Sequence, residues 1–565
     1  MTACTTGAPS PQRPGEGVAP ATPGSHRVKT LTVGITSTVR AFGLAGTTTT
    51  AGGWMSAGEL HSQGLVTSDT SSRTPVGRLA ERAPSFDDGS IVVQPDGTMR
   101  ATYHLRTGVT WQDGAPFTSR DLAFSYQVNT DPGLPFVNRD AMKLVTTTEA
   151  PDDQTFVFVF SSPYYLADSL GLRLFWPYPQ HLLQDSYDQY VSTKNADDFI
   201  NQPYFTSGYV NLGPFRLTSF DPGEGLKFEA YENYFLGRPK IDVVYLKTFG
   251  DENTLLANLL AGAVDVFMDL AMSPDVGFQL KDQWDKSGQG TVLLTTGYVR
   301  MLIPQYRAQF QKEPANLDPT VRQALYVALD RPALSAALQD GHAELAATSI
   351  LPPEDRNYEA VRDGLKPFAF DPDRAKTLLA EAGWTPGPDG LLRNADGRRF
   401  QTSIWSTPGS DKEIAAIADY WRRVGLEVEE TIVPAAFTRD NQYRASYPGW
   451  ETTANYDDST FGRLKDPSGP ETRWAGANRA GYDDSRAVRL VDAYYHSMKP
   501  GDQRQAVRAI SDFIVAEMPY LVTMFEADNI GMRKGVQAFA DFAGGAGAGA
   551  PYGSYTRNAY LWDLD

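Results

Sequence analysis

The sequence predicts an α/β protein, on three observations. Residues 410–433 run helix, glycine, strand: Ser410 and Glu413 have capping-box spacing, Ile414, Ile417 and Trp421 share one helical face, Gly425 stops the helix, and 426–433 reads as a strand. Asp318-Pro319 and Asp371-Pro372 each set an N-cap beside a proline at the first helical position. Apolar residues alternate at Leu31, Val33 and Ile35 and again at Phe156, Phe158 and Phe160, the period of a strand. Strands interleaved with amphipathic helices are the grammar of α/β folds.

The elements follow in order. Residues 1–27 are rich in Pro, Gly, Ser and Thr and predict a disordered tether. Order begins at the strand 29–35. Residues 36–75 are small and polar and predict long loops with short helical pieces, in which Phe42 and Trp54 stand out. Residues 99–106 and 155–160 alternate as strands, and Thr118 with Asp121 opens a helix running to about Val128. Segments 226–231 and 241–247 are strand-like around the turn at 233–237. Val321, Ala324, Leu325 and Ala328 form the inward face of the Asp318 helix. Ala375, Leu378, Leu379 and Ala382 do so for the Asp371 helix, which Gly383 stops. A strand over 400–405, a last helix over 502–517 stopped by Pro519, and a low-complexity loop at 543–550 complete the chain. No repeat at solenoid periods is present.

Composition narrows the function. The 565 residues carry 51 Lys and Arg against 68 Asp and Glu, a net charge of −17, which argues against a nucleic-acid partner. One cysteine excludes a disulfide framework and Cys-based metal sites, and the 6 histidines lie far apart, so no metal or other cofactor is expected. The most apolar window, 255–272, is broken by Asn258, Asp265 and Asp269, short of a membrane span. A soluble chain is expected, without the apolar core of a signal peptide. The lone cysteine, Cys4, follows a small residue and heads the tether. That is how a bacterial lipoprotein processing site looks; the other reading is an incidental cysteine in a tail.

No GxSxG elbow and no GxxxxGK[ST] phosphate loop occurs, and the glycines of 43–53 lack a strand–GxGxxG–helix context. The acidic pairs Asp87-Asp88, Asp152-Asp153, Asp457-Asp458 and Asp483-Asp484 read as solvated loop residues or caps, against the alternative of a glycosidase pair. No catalytic residue is expected. With 10 Trp, 27 Tyr and 28 Phe, the profile suits a binder with a concave, stacking site.

Several segments together resemble the bacterial extracellular solute-binding proteins of family 5, the oligopeptide, dipeptide and nickel receptors of ABC importers. Gly77-Arg-Leu-Ala-Glu81, Asp96-Gly-Thr-Met99, Leu105-Arg-Thr-Gly-Val-Thr-Trp-Gln-Asp-Gly114 and Pro116-Phe-Thr-Ser-Arg-Asp121 are similar to the signature "LAE…DGT…LRxGVxWxDGxPFTAxD". Gly213-Pro-Phe-Arg216, Asn233-Tyr-Phe-Leu-Gly-Arg-Pro239, Leu260-Ala-Gly-Ala-Val-Asp265, Val321-Arg-Gln-Ala-Leu325, Ala328-Leu-Asp-Arg331, the run from Asp371 to Trp384, and Tyr420-Trp-Arg-Arg-Val-Gly-Leu426 follow in family order. Trp111, Trp384 and Trp421 in these motifs read as packing anchors of the fold rather than ligand contacts.

The resemblance implies a two-lobe periplasmic-binding-protein (Venus flytrap) fold of the large type. Lobe I would comprise 28–75, 206–298 and 526–565, with an additional domain, 76–205, packed on it. Lobe II would be 299–525, with the hinge near 298–306 and 521–526. It further implies an extracytoplasmic, monomeric receptor that closes on a ligand and docks on a membrane permease, without making or breaking a bond. In peptide-binding members a "GWxxDxxDP" stretch uses its first Asp to hold the ligand's ammonium. Here that stretch resembles Gly449-Trp-Glu-Thr-Thr-Ala-Asn-Tyr-Asp-Asp458, and the Asp position falls on Thr453. A threonine cannot neutralise an ammonium, so Glu451 or Asp457 would have to substitute, or the ligand is another polar oligomer such as an oligosaccharide. The expected ligand contacts are Phe42, Trp54, Trp405, Trp450, Thr453, Asn455 and Trp474, with Cys4 as lipid anchor. Alternatives of other classes are a secreted hydrolase of glycans or peptides using paired carboxylates, and a receptor-fold signalling or scaffold protein.

Overall fold

The computed structural model describes residues 27–43, 57–69, 74–134, 140–268, 270–353, 355–537 and 554–565. The predicted tether with Cys4, the loop residue Trp54 and the 543–550 loop lie outside them, as do the side chains of Asp457 and Asp458.

A ten-stranded sheet runs through the molecule. Its order is Glu427–Ile432, Gln401–Ser406, Trp450–Tyr456, Gly290–Pro304, Leu521–Arg533, Val266–Phe267, Thr30–Ile35, Val243–Thr248, Gly225–Ala230 and Phe215–Asp221. The two central strands, of 15 and 13 residues, each serve both halves. One end of Gly290–Pro304 pairs with Trp450–Tyr456, while the Met532 end of Leu521–Arg533 pairs with Val266–Phe267. Between those ends they pair antiparallel with each other, and the register slips between Thr295 and Tyr298 and again between Arg300 and Met301. Slips of this kind locally bend and twist a ladder. They fall where the chain passes from one half to the other.

Each half is built on strands lying parallel: Thr30–Ile35 beside Val243–Thr248 in the first, Gln401–Ser406 beside Glu427–Ile432 in the second. The helices that cover them start where the sequence places their caps. Asp318 accepts from the Thr320 amide at 2.8 Å and Asp371 from the Arg374 amide at 2.8 Å. Thr118 and Asp121 form a reciprocal capping box opening Ser119–Thr130. Gly383 adopts φ +85°, the left-handed stop that glycine supplies without strain.

The Ser410 cap differs from expectation. Helix Asp411–Arg423 begins there, but Ser410 makes no side-chain cap. Glu413 instead receives Arg300 Nε at 2.8 Å, so an ion pair to the central strand takes the carboxylate that the spacing assigned to the helix.

A separate four-stranded sheet, Ile91–Val93, Met99–His104, Thr155–Phe160 and Val145–Asp152, forms the additional region. Nearby Phe124, Val128 and Tyr178 join the apolar core of Leu31, Val33 and Val244 in the first half. Phe156 and Phe158 belong to a larger core shared with Leu325, Trp421 and Trp450 of the second half. The region therefore has apolar contacts with both halves. Trp111, Trp384 and Trp421 are all buried.

Candidate functional site

A cavity of about 840 Å³ lies between the two halves. Thr36 and Thr407 line it, each the residue just past a parallel strand, Thr30–Ile35 in one half and Gln401–Ser406 in the other. Open α/β sheets bind ligands beyond the carboxyl ends of their strands, because backbone groups there lose their sheet partners. Here two such ends face one cavity. Tyr298, Arg300, Glu526, Ala527 and Asp528 from the slipped segment of the central strands line it as well.

The first half contributes acids and backbone. Asp251 caps helix Glu252–Leu260, accepting from the Thr254 amide at 2.9 Å, and Glu252 Oε2 accepts from the Ser273 amide at 2.6 Å. Asp528 is buried, and its Oδ1 accepts from the Leu270 amide at 2.9 Å and the Asn529 amide at 2.8 Å. Burial pushes Asp528 up to about 7, against those two hydrogen bonds; the charge of Glu526 raises it further. Leu270 holds φ +59°, a conformation rare for a branched side chain, in the turn that its bond to Asp528 fixes.

The second half contributes guanidiniums. Gly449 lets the backbone pass so close to Ser403 that a Cβ there would stand 2.5 Å from the Ser403 carbonyl oxygen. The strand that follows, Trp450–Tyr456, lies between Gln401–Ser406 and Gly290–Pro304 and presents Thr452, Thr453 and Ala454 to the cavity. Glu451, buried on this strand, accepts from Arg444 Nε at 3.0 Å and from Arg479 Nη2 at 3.4 Å. Arg463 donates to the Thr453 hydroxyl at 3.3 Å, to the Asn455 side-chain oxygen and to the Ala477 carbonyl. Burial first, and the like charge of Arg479 second, pull Arg463 down to about 10. Arg300, by contrast, is matched: it pairs with Glu413 and, at 3.2 Å, with Glu526.

The expected ligand contacts divide. Thr453 lines the cavity. Asn455 does not, and acts one step back by holding Arg463. Phe42 is buried in the first half's core, stacked on Tyr209 at 3.9 Å and edge-on to His61 at 5.1 Å. Trp450 is fully buried: its Nε1 donates to Asn316 Oδ1 at 3.0 Å and its ring lies 5.2 Å from that of Trp421, so it is a core residue and not a pocket wall. Trp405 packs on Tyr443 at 5.4 Å, and Trp474 lies under the Arg307 guanidinium at 5.3 Å, both away from the cavity lining. Glu451 cannot serve as the replacement ammonium anchor, because Arg444 and Arg479 already hold it.

The expected stacking site is thus a charged one, with Tyr298 the only aromatic residue among the described lining. Sequence reasoning missed Arg444, Arg479, Glu526 and Asp528. They sit in no motif and converge only when the fold brings 251–274, 444–479 and 526–528 together. Among the described residues, no three His, Cys, Asp or Glu side chains are grouped to hold a metal ion, and no helix is long and apolar enough to cross a membrane.

Residues 74–471 match the family described as bacterial extracellular solute-binding proteins, family 5. The oligopeptide-binding protein AppA of Bacillus subtilis is 24% identical over 458 residues, covering 79% of this chain and 78% of that protein. Heme-binding protein A of Haemophilus influenzae is 28% identical over 408 residues, covering 65% of this chain and 66% of that protein. The oligopeptide-binding protein of Thermus thermophilus, solved with a pentapeptide, superposes with a TM-score of 0.71 at 20% identity, over 95% of this chain and 96% of that one.

Proposed function

The chain belongs to the bacterial extracellular solute-binding proteins of family 5, and from that premise we propose that it is the extracytoplasmic receptor of an ABC importer, capturing a peptide or another polar oligomer between its lobes. The observation that carries this reading is the cavity at the strand slips, lined by both halves of the sheet and by the two strands that join them. A ligand there touches both lobes at once only when they are near each other, so its binding energy favours the closed arrangement. At about 840 Å³ the cavity accommodates a small oligomer rather than a single ion.

The receptor works by binding alone and hands its ligand, unchanged, to a membrane permease. It acts as a monomer, held at the outer face of the membrane through Cys4 and the 1–27 tether. In this reading 28–75, 206–298 and 526–565 make the first lobe, 76–205 the additional domain packed on it, and 299–525 the second lobe. Small-angle scattering tests the reading: a ligand that binds should shrink the radius of gyration. A protein that neither retains cargo in native mass spectrometry nor compacts with any fraction of a cell extract would refute it.

A further inference from the structure

The cavity is electrically polarised. On the second-half side, among the described residues, Arg444, Arg463 and Arg479 surround a single carboxylate, Glu451. Among the described side chains, three guanidiniums against one carboxylate leave positive charge in excess in a place where Arg444 and Arg463 are buried. Arg463 spends its donors on neutral oxygens of Thr453, Asn455 and Ala477. Arg479 is the least satisfied: its contacts to both Glu451 oxygens are long, at 3.4 Å, and its buried Nε has no hydrogen-bond partner. Both Arg444 and Arg479 line the cavity. On the first-half side the ionisable groups of the described lining are all acidic, Asp251 and Glu252 with Asp528, which keeps its proton below about pH 7, since Glu526 is taken by Arg300.

We propose that the ligand carries a carboxylate that docks against Arg479 and Arg444 beside Thr453, while its hydroxyl or amine donors face Asp251, Glu252 and Asp528. An unsatisfied, partly buried guanidinium fork matches a carboxylate in geometry and charge. The oxyanion supplies the acceptors that Arg479 lacks and offsets the surplus charge that Glu451 leaves. An ammonium at the same place would meet two cations at the cavity wall and a third behind Thr453. The polarity is therefore opposite to that of an aspartate holding a peptide amino terminus. Closure gains from the same arrangement, because one ligand satisfies an Arg surface on one lobe and an acidic surface on the other.

This inference rests on the receptor reading, and the experiment separates the two. Purified protein is titrated by calorimetry, with scattering in parallel, against matched pairs: N-acetylated di- and tripeptides as free acids and as C-terminal amides, and uronic-acid oligosaccharides with their neutral parents. The acid of a binding pair should bind at least about tenfold more tightly than its neutral partner. Arg479→Gln should remove that advantage with the fold intact by circular dichroism, and Arg479→Lys should restore part of it. Equal binding of acid and neutral partner, or an acid whose affinity ignores Arg479→Gln, overturns the inference. So does a neutral or cationic cargo found on the purified protein by native mass spectrometry; compaction by such a ligand would leave the receptor reading standing. Silence toward every probe, with no retained cargo and no compaction, would overturn both.

Discussion

The backbone amide of Tyr165 donates to the carbonyl of Tyr495 at 3.0 Å, and the two rings lie 5.1 Å apart. Tyr165 follows the four-stranded sheet, whereas Tyr495 ends the helix Ser485–Tyr495, which packs against helix Pro500–Glu517 in the second half. Tyr494 adds a second ring at 5.2 Å, and the Arg356 guanidinium sits 5.7 Å from the centre of the Tyr165 ring. The additional region is thus tied to the second half by this contact, and through it the first half gains a link to the second beyond the paired central strands.

Tyr165→Ala should loosen that second junction. Aromatic pairs contribute about 0.5–1.5 kcal/mol each beyond the area they bury, so the closed arrangement loses on the order of 1–2 kcal/mol. Scattering should show a larger mean radius of gyration in the absence of ligand and a weaker affinity with it. Identical scattering curves for variant and parent would contradict this account.

Asp528 makes stability depend on pH with a definite sign. Its folded pKa, about 7, is above the roughly 3.9 of an unfolded aspartate. The folded chain therefore holds a proton that the unfolded chain has released. The stabilisation from this group is complete below about pH 4 and is lost as pH rises through 7. Asp528→Asn should flatten the decline by a few kcal/mol, read as the difference in unfolding free energy between pH 4 and 8. Parallel curves for variant and parent would remove Asp528 from the explanation.

Trp450→Ala tests the reassignment of that residue from pocket to core. Emptying a site packed against Trp421 and breaking the bond to Asn316 should cost about 3–5 kcal/mol of stability. The fraction that remains folded should bind ligand with nearly unchanged affinity. A large loss of affinity without a loss of stability would return Trp450 to the site.

These residues show what the sequence could and could not disclose. Caps and stops are local, so Asp318, Asp371, Thr118 and Gly383 were legible from their neighbours alone. Ser410 was not, because the Arg300 that captures Glu413 is distant in the chain and near only in the fold. The same holds for the site. An aromatic residue has one signature in sequence whether it fills a core, as Phe42 and Trp450 do, or faces a ligand. The charged lining comes from separate stretches with no periodicity, and only Thr453 was reached, through a motif.

Arg331, in the Ala328-Leu-Asp-Arg331 motif, is a structural cation. It is buried and donates to the Tyr326 hydroxyl at 2.7 Å and to the carbonyls of Ala347, Leu365 and Phe368 at 2.6, 3.3 and 2.5 Å. Arg331→Met leaves three carbonyls without this donor and should cost about 3 kcal/mol or more. Arg331→Lys should recover little, since one ammonium cannot span three carbonyls spread over two loops. Urea unfolding measures both, and a midpoint unmoved by either change would show that the carbonyls find other donors.

The slipped pairing at Thr295–Met301 limits how the receptor can move. Two strands bonded to each other on both sides of a slip resist sliding and separation, since either would break a ladder. Turning about the slip breaks none. The lobes are left with a single freedom, and its state is an angle. If a permease recognises the loaded receptor as proposed, it would read that angle and nothing of the cargo's chemistry, and discrimination among compounds would rest with the cleft.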